Sequence, residues 1–159
     1  MGDEAFYDFL HENVALESHP VDYVNDPAVI AQNDNVVSIN STIEMDLTGA
    51  CNSEYVKGHQ FTSTGGQLDF VRGAYASKGG MSFIAFQSSS KGGKISKIVP
   101  RLSGPVTTPR TDVHYVVTEN GVANLKGLSS TERAQALIGL ARPEFQDGLK
   151  AAAKEMHFV

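Results

Sequence analysis

Thr62 to Phe86 reads TSTGGQLDFVRGAYASKGGMSFIAF. Within it, Leu68, Phe70, Val71, Ala74 and Tyr75 recur at a spacing that suits a helix better than a strand. Gly65-Gly66 precedes this helix and Ser77-Lys78-Gly79-Gly80 terminates it. Ser82 to Phe86 is then a short β-branched and aromatic run, as a buried strand would be. An extended segment, a glycine turn, a helix, a second glycine turn and a strand together predict an α/β chain.

The flanking sequence extends this pattern. Upstream, Val37 to Leu47 alternates Val37, Ile39, Ile43, Met45 and Leu47, with Ser41 the lone polar exception on that side, against Ser38, Asn40, Thr42, Glu44 and Asp46, which predicts one strand with a polar face. Asn52 to Thr64 predicts a second, less regular extended segment and a hairpin. Asp3 to Val14 has helical spacing, and Asp26 before Pro27 caps a further short helix. The opening helix has little before it to pack on, so we expect upstream sequence to be missing and Met1 to be an artificial start. Downstream, Ile95 to Val99 and Val113 to Thr118 predict strands, and Ser88 to Gly93 a loop. Ser129 and Glu132 have capping-box spacing before a helix, and Pro143 starts a last one. The expected architecture is one α/β domain over residues 1–159, a mixed sheet covered by helices, with the strand order left open.

Composition removes several classes of function. The chain has 159 residues, 41% apolar and 19% charged, within the globular range. Its formal net charge is −5 and its basic residues are scattered, which disfavours a nucleic acid partner. Its apolar runs fall far short of the roughly 20 residues of a membrane-spanning helix. Cys51 is the sole cysteine, so no internal disulfide and no thiolate metal set can form, and a reducing, cytoplasmic setting is expected. His11, His19, His59, His114 and His157 are dispersed, without the three- or four-residue spacing of metal ligands on a helix. No phosphate-binding P-loop and no dinucleotide-binding glycine pattern occurs.

Three places could carry chemistry. The amides at Gly65-Gly66 could face a phosphate, or the oxyanion formed when a thioester is attacked; the same glycines also serve as an ordinary turn. Lys91 follows a predicted strand on a loop, where an ammonium meets an anion or simply solvent. Glu119 ends a buried strand just before Asn120-Gly121, a functional or a turn-forming position. Glu44 and Asp46 are expected to be solvent-exposed on the polar strand face, with a functional carboxylate as the alternative.

Several segments in order carry a resemblance: HPVDYVNDPAVIAQND from His19, SINSTIEMDLTG from Ser38, GGQLDFVRGA from Gly65, SKGGKISKIVPRL from Ser90, VTTPRTDVHYVVTENGVANLKG from Val106 and ERAQALIGLARPEF from Glu132. Together they resemble the carboxyl-terminal part of the acetyl-CoA hydrolase/transferase family, which includes 4-hydroxybutyrate and acetate CoA-transferases. The resemblance implies two similar α/β domains with the active site between them. It implies covalent catalysis by a glutamate that forms an acyl-glutamyl anhydride and then a glutamyl-CoA thioester. The family places that glutamate upstream in a His-Ser/Thr-Glu-Met type motif; this chain has no such motif, and neither Glu44 nor Glu119 matches it.

By the same resemblance, Gly66 supplies an oxyanion-hole amide, with Gly65 and Thr62 lining its turn. Lys91 contacts CoA, Asn25 lies near the active site, and Glu119 is a supporting glutamate that orders that site. Ser63 stands where many members have the first glycine of a Gly-x-Gly-Gly run, so the acyl pocket is expected to differ. The expected partners are acyl-CoA (acetyl-, butyryl- or 4-hydroxybutyryl-CoA), a short-chain carboxylate such as acetate, the protein's own N-terminal domain and further copies in a homo-oligomer. CoA thioester is then a substrate and no cofactor is held permanently. The alternatives are an acyl-CoA hydrolase and a non-catalytic module binding CoA or another anion. The isolated chain is expected to be inactive, and to self-associate through the apolar surface that faces its partner domain.

Overall fold

The structure is a computed structural model that describes residues 2–158, so Met1 lies outside it. The helices are α1 (Glu4–Leu10), α2 (Val21–Val24), α3 (Pro27–Ile30), α4 (Gln67–Ala76), α5 (Ser130–Leu140) and α6 (Pro143–Glu155). The strands are β1 (Val37–Asn40), β2 (Glu44–Asp46), β3 (Cys51–Asn52), β4 (Tyr55–Val56), β5 (His59–Gln60), β6 (Met81–Ala85), β7 (Ser89–Ser90), β8 (Ile95–Ser96), β9 (Ile98–Val99), β10 (Tyr115–Thr118) and β11 (Gly121–Asn124). The glycine-bracketed helix, the Asp26-Pro27 start and the capping box all form as their sequences dictate. Ser129 and Glu132 bond each other's backbone at the start of α5, and the Asp26 carboxylate accepts from the Ala28 amide at the start of α3.

The main sheet has the order β1-β6-β10-β11, parallel except for the final β10–β11 hairpin. The fold is thus α/β with a mixed sheet. Ile84 and Val116, at the sheet centre, join Val71 of α4 and Ala134 and Leu137 of α5 in one core. Leu149 and Ala153 of α6 extend this core beneath α5. A smaller sheet, β3-β2-β9, adds Met45, Cys51 and Ile98 to it. Two short hairpins complete the topology, β4–β5 and β7–β8. The β4–β5 turn places Lys57 and Gly58 at φ of 50° and 82°, the left-handed pair that a two-residue hairpin turn demands.

Four expectations change. Val37 to Leu47 does not make one strand: β1 joins the main sheet and β2 the smaller one. Thr42, between them, turns inward and its hydroxyl meets the Glu44 and Asn52 carbonyls at 2.9 and 2.8 Å, which breaks the run. The faces of β1 are also inverted, with Ser38 buried and Val37 and Ile39 53% and 71% exposed. Ile95 to Val99 likewise splits at Lys97, whose amide and carbonyl pair with Ser88 and Met45 respectively. Ser88 to Gly93 is not simply a loop, since Ser89 and Ser90 form β7. The expected helical cover of the mixed sheet is present, and it lies on one face of the main sheet. The opposite face carries Val37, Ile39 and Val122 into solvent. Among the described residues no helix is long and apolar enough to cross a membrane, and no group of His, Cys, Asp and Glu is arranged to hold a metal ion.

The two faces predict opposite responses to truncation. Ile84→Ala should cost about 2–5 kcal/mol, as cavity-forming core substitutions do. Ile39→Ala on the open face should cost less than about 0.5 kcal/mol. Urea denaturation of the two variants checks this, and an equal loss from both would contradict the one-sided packing.

Candidate functional site

Two close approaches along α4 build the site. A Cβ on Gly73 would lie 2.6 Å from the Ile30 Cβ, so only glycine lets α3 pack this tightly on α4. One end further, a Cβ on Gly66 would overlap the Asn25 side-chain amide. These contacts hold the Asn25-Asp26-Pro27 turn beside Gly65-Gly66, and an open cavity of about 610 Å³ lies between them. Gly65 has φ +57° with nothing near its missing side chain, leaving that backbone bare toward the cavity. Neither the Gly65 nor the Gly66 amide donates to another group among the described residues.

The cavity is acidic. Asp22, Asp26 and Asp69 line it, and no Lys or Arg is among its lining residues. A multiply charged phosphate is repelled by such a wall, whereas a neutral carbonyl that gains charge only during reaction can use the free amides.

Thr62 does not line the cavity; Ser63 and Thr64 do. Thr62 instead sets the approach to the turn, its amide bonding the Glu54 carbonyl at 3.2 Å and its carbonyl accepting from the Gln60 side chain at 2.6 Å. Glu54 itself is buried, and its carboxylate accepts from the Thr107 hydroxyl at 2.7 Å and the Gln60 amide at 3.1 Å. Sequence reading missed Glu54, because a lone acid in a polar, irregular stretch gives no periodic signal of burial. Below the start of α4, Gln67 bonds the Thr108 hydroxyl at 3.0 Å and the Cys51 sulfur at 3.5 Å. Burial pushes the Cys51 thiol up to about 11, so it is not a nucleophile near neutral pH.

Glu119 and Lys91 lie outside this cavity. The Glu119 carboxylate accepts from the Ser88 amide at 2.7 Å and the Ser88 hydroxyl at 2.6 Å. Among the described residues no hydrogen bond joins Glu119 to Asn25, and Glu119 is not among the residues that line their cavity. Glu119 borders a separate hollow of about 390 Å³ with Asn120, Arg142 and Glu144, beyond the end of β10. Lys91 is exposed at the β7–β8 turn with φ +50°. Glu44 and Asp46, expected in solvent, are half-buried and employed in structure. Glu44 Oε1 accepts from Asn52 and from both the amide and hydroxyl of Ser103, while Asp46 Oδ1 closes the Thr48–Ala50 turn.

Burial raises the Glu119 carboxyl, but the two Ser88 bonds and the Arg142 charge outweigh it and leave it below the usual 4.5. A lowered carboxyl stabilises the fold above its unfolded value, and that contribution disappears as pH falls through the folded value. The Ser88–Glu119 tie should therefore hold at neutral pH and loosen only in acid. NMR titration should place the Glu119 midpoint below 4.5, and Ser88→Ala should move it up. A midpoint that ignores Ser88→Ala would contradict this assignment.

Comparison with known proteins gives a consistent picture. The family model for the acetyl-CoA hydrolase/transferase C-terminal domain matches residues 2–153. The chain is 51% identical over its whole length to a succinyl-CoA:cyclohexane-1-carboxylate CoA transferase of Geobacter metallireducens, and covers 37% of that protein. It is 50% identical over 94% of its length to a 4-hydroxybutyrate coenzyme A transferase of Clostridium kluyveri, of which it covers 35%. The crystal structure of RipA from Yersinia pestis superposes on the whole chain with a TM-score of 0.94 at 63% identity, and the chain covers 36% of it. The chain thus spans little more than a third of the length of the relatives it matches. With the family model covering nearly every residue and this degree of identity to CoA-transferases, the chain belongs to the acetyl-CoA hydrolase/transferase family, in its C-terminal domain.

Proposed function

We propose that the complete polypeptide carrying this region is a CoA-transferase. It moves CoA between an acyl-CoA, such as acetyl-, butyryl- or 4-hydroxybutyryl-CoA, and a carboxylate such as acetate. The observation that supports this best is the pairing of Asn25 with the unbonded Gly65-Gly66 amides across one cavity. Its acidic wall favours a thioester carbonyl over a phosphate, and so disfavours a module that merely binds anions.

In this reading a glutamate carboxylate from the upstream part attacks the thioester carbonyl. The oxyanion accepts a hydrogen bond from the Gly66 amide, the C–S bond breaks, and CoA leaves as thiolate. The thiolate then attacks the glutamyl carbonyl of the anhydride, which releases the first carboxylate and leaves glutamyl-CoA. The acceptor acid reverses both steps. Gly65 and Asn25 shape the acyl end, and Thr62, held by Glu54 and Gln60, fixes the entry to the turn. Lys91 meets the CoA moiety from the β7–β8 turn. Glu119 is a positioning residue acting through Ser88. Residues 1–159 form one domain that pairs with the protein's N-terminal domain in a cytoplasmic homo-oligomer, and by themselves they lack the nucleophile and are inactive.

Intact-mass analysis after incubation with acetyl-CoA or butyryl-CoA tests the reading. A CoA-sized adduct should form on the complete polypeptide and not on residues 1–159. An adduct on the short chain would move the nucleophile to Glu44 or Glu119 and overturn the reading. In the complete polypeptide, Gly66→Ala should lower the transfer rate by about 100- to 1000-fold, because the new Cβ displaces Asn25 and disturbs the amide. Unchanged transfer would remove Gly66 from the site.

A further inference from the structure

The β7–β8 hairpin stands apart from both larger sheets. Among the described residues its strands pair only with each other, Ser89 opposite Ser96 and Ser90 opposite Ile95. None of residues 89–96 is buried, and the one large apolar side chain among them, Ile95, is 46% exposed. A two-stranded hairpin with so little apolar cover is marginal in water, so contacts with its surroundings must hold it. At its base, the Glu119 carboxylate takes the Ser88 amide and hydroxyl, and the Lys97 amide donates to the Ser88 carbonyl at 2.8 Å.

The tip is held differently. Lys91, Gly92 and Gly93 follow one another at φ of 50°, 66° and 90°, a left-handed run that is unfavourable for the lysine. A Cβ on Gly93 would overlap the Arg142 guanidinium, so Arg142 rests directly on the bare backbone of this turn. Arg142 Nε and Nη2 bond the Glu144 carboxylate at 3.3 and 2.8 Å, which leaves Nη1 as the edge against Gly93. The arginine stands at the start of α6, whose Leu149 and Ala153 are fixed in the core. Its charge is offset by Glu144 and by Glu119 across the shared hollow, so it can support a turn that carries Lys91 and Lys94 with little repulsion. We propose that Arg142 is a positioning residue, which holds the β7–β8 turn at Gly93 and so fixes where Lys91 presents its ammonium to the CoA moiety. Arg142 acts through the turn without touching CoA, and the inference rests on the Lys91–CoA contact of the function proposed above.

Two measurements on the complete polypeptide test this. The first is calorimetric titration with CoA of Lys91→Ala, Arg142→Ala and the double variant. Lys91→Ala should weaken binding at least about tenfold, as loss of a hydrogen bond between charged groups does. Arg142→Ala should weaken it at least about fivefold, and because Arg142 works through Lys91, the double variant should bind within about twofold of Lys91→Ala. Losses that multiply, or normal affinity in Arg142→Ala beside a weakened Lys91→Ala, would overturn the proposal and leave the Lys91–CoA contact standing. Full affinity in Lys91→Ala would remove Lys91 from the CoA site, and would overturn that underlying reading and the proposal together. The second measurement needs no CoA. Trypsin should cut after Lys91 or Lys94 at least about tenfold faster in Arg142→Ala than in the unmodified polypeptide, because cleavage follows the population of the open turn. An unchanged rate at these two lysines, or a rise spread over the whole polypeptide, would show that Arg142 does not hold this turn in particular, and would overturn the proposal.

Discussion

The tight packing of α3 on α4, Ile30 against Gly73, is the contact on which the site depends. It brings a turn far upstream of α4 to the first residues of that helix, and so places Asn25 over Gly66. Any side chain at Gly73 would drive the two helices apart by the width of a methyl group and open the cavity between them. The rest of the fold serves the same end. The parallel sheet supports α4 from below, and the Glu54–Gln60–Thr107 network fixes the segment that leads into Gly65.

The carboxylates divide into two groups by what they touch. Glu44, Asp46, Glu54 and Glu119 spend their oxygens on amides and hydroxyls of nearby turns and loops. Asp22, Asp26 and Asp69 line the cavity and give it a negative field. That field limits what the free glycine amides can accept. A group that is neutral when it arrives and negative only in the transition state suits them better than a standing anion.

Much of this was legible in the sequence. Capping residues, the proline start and the glycine turns act locally, so α3, α4, α5 and α6 could be read from residues alone. The Gly65-Gly66 turn stood out from its residues and Asn25 only through the family resemblance, yet nothing local revealed that Gly73 and Ile30 would bring them together. The strands were less legible, because the alternation of Val37 to Leu47 continues through a change of sheet. What decides there is the inward Thr42 hydroxyl, a contact with residue Asn52 that no period encodes. The inverted faces of β1 misled for a related reason: alternation identifies an apolar face but not which face the helices of this chain cover. Glu119 was placed at a strand end by its sequence neighbours, while its partner Ser88 lies 31 residues away along the chain.

The most direct test of the central claim is a crystal structure of the complete polypeptide with a ketone analogue of acetyl-CoA, in which carbon replaces the thioester sulfur. The account predicts the analogue's carbonyl oxygen in the cavity between Asn25 and Gly65-Gly66, about 2.7–3.1 Å from the Gly66 amide nitrogen. A carbonyl bound elsewhere, with the Gly66 amide facing only solvent or a CoA phosphate, would contradict it.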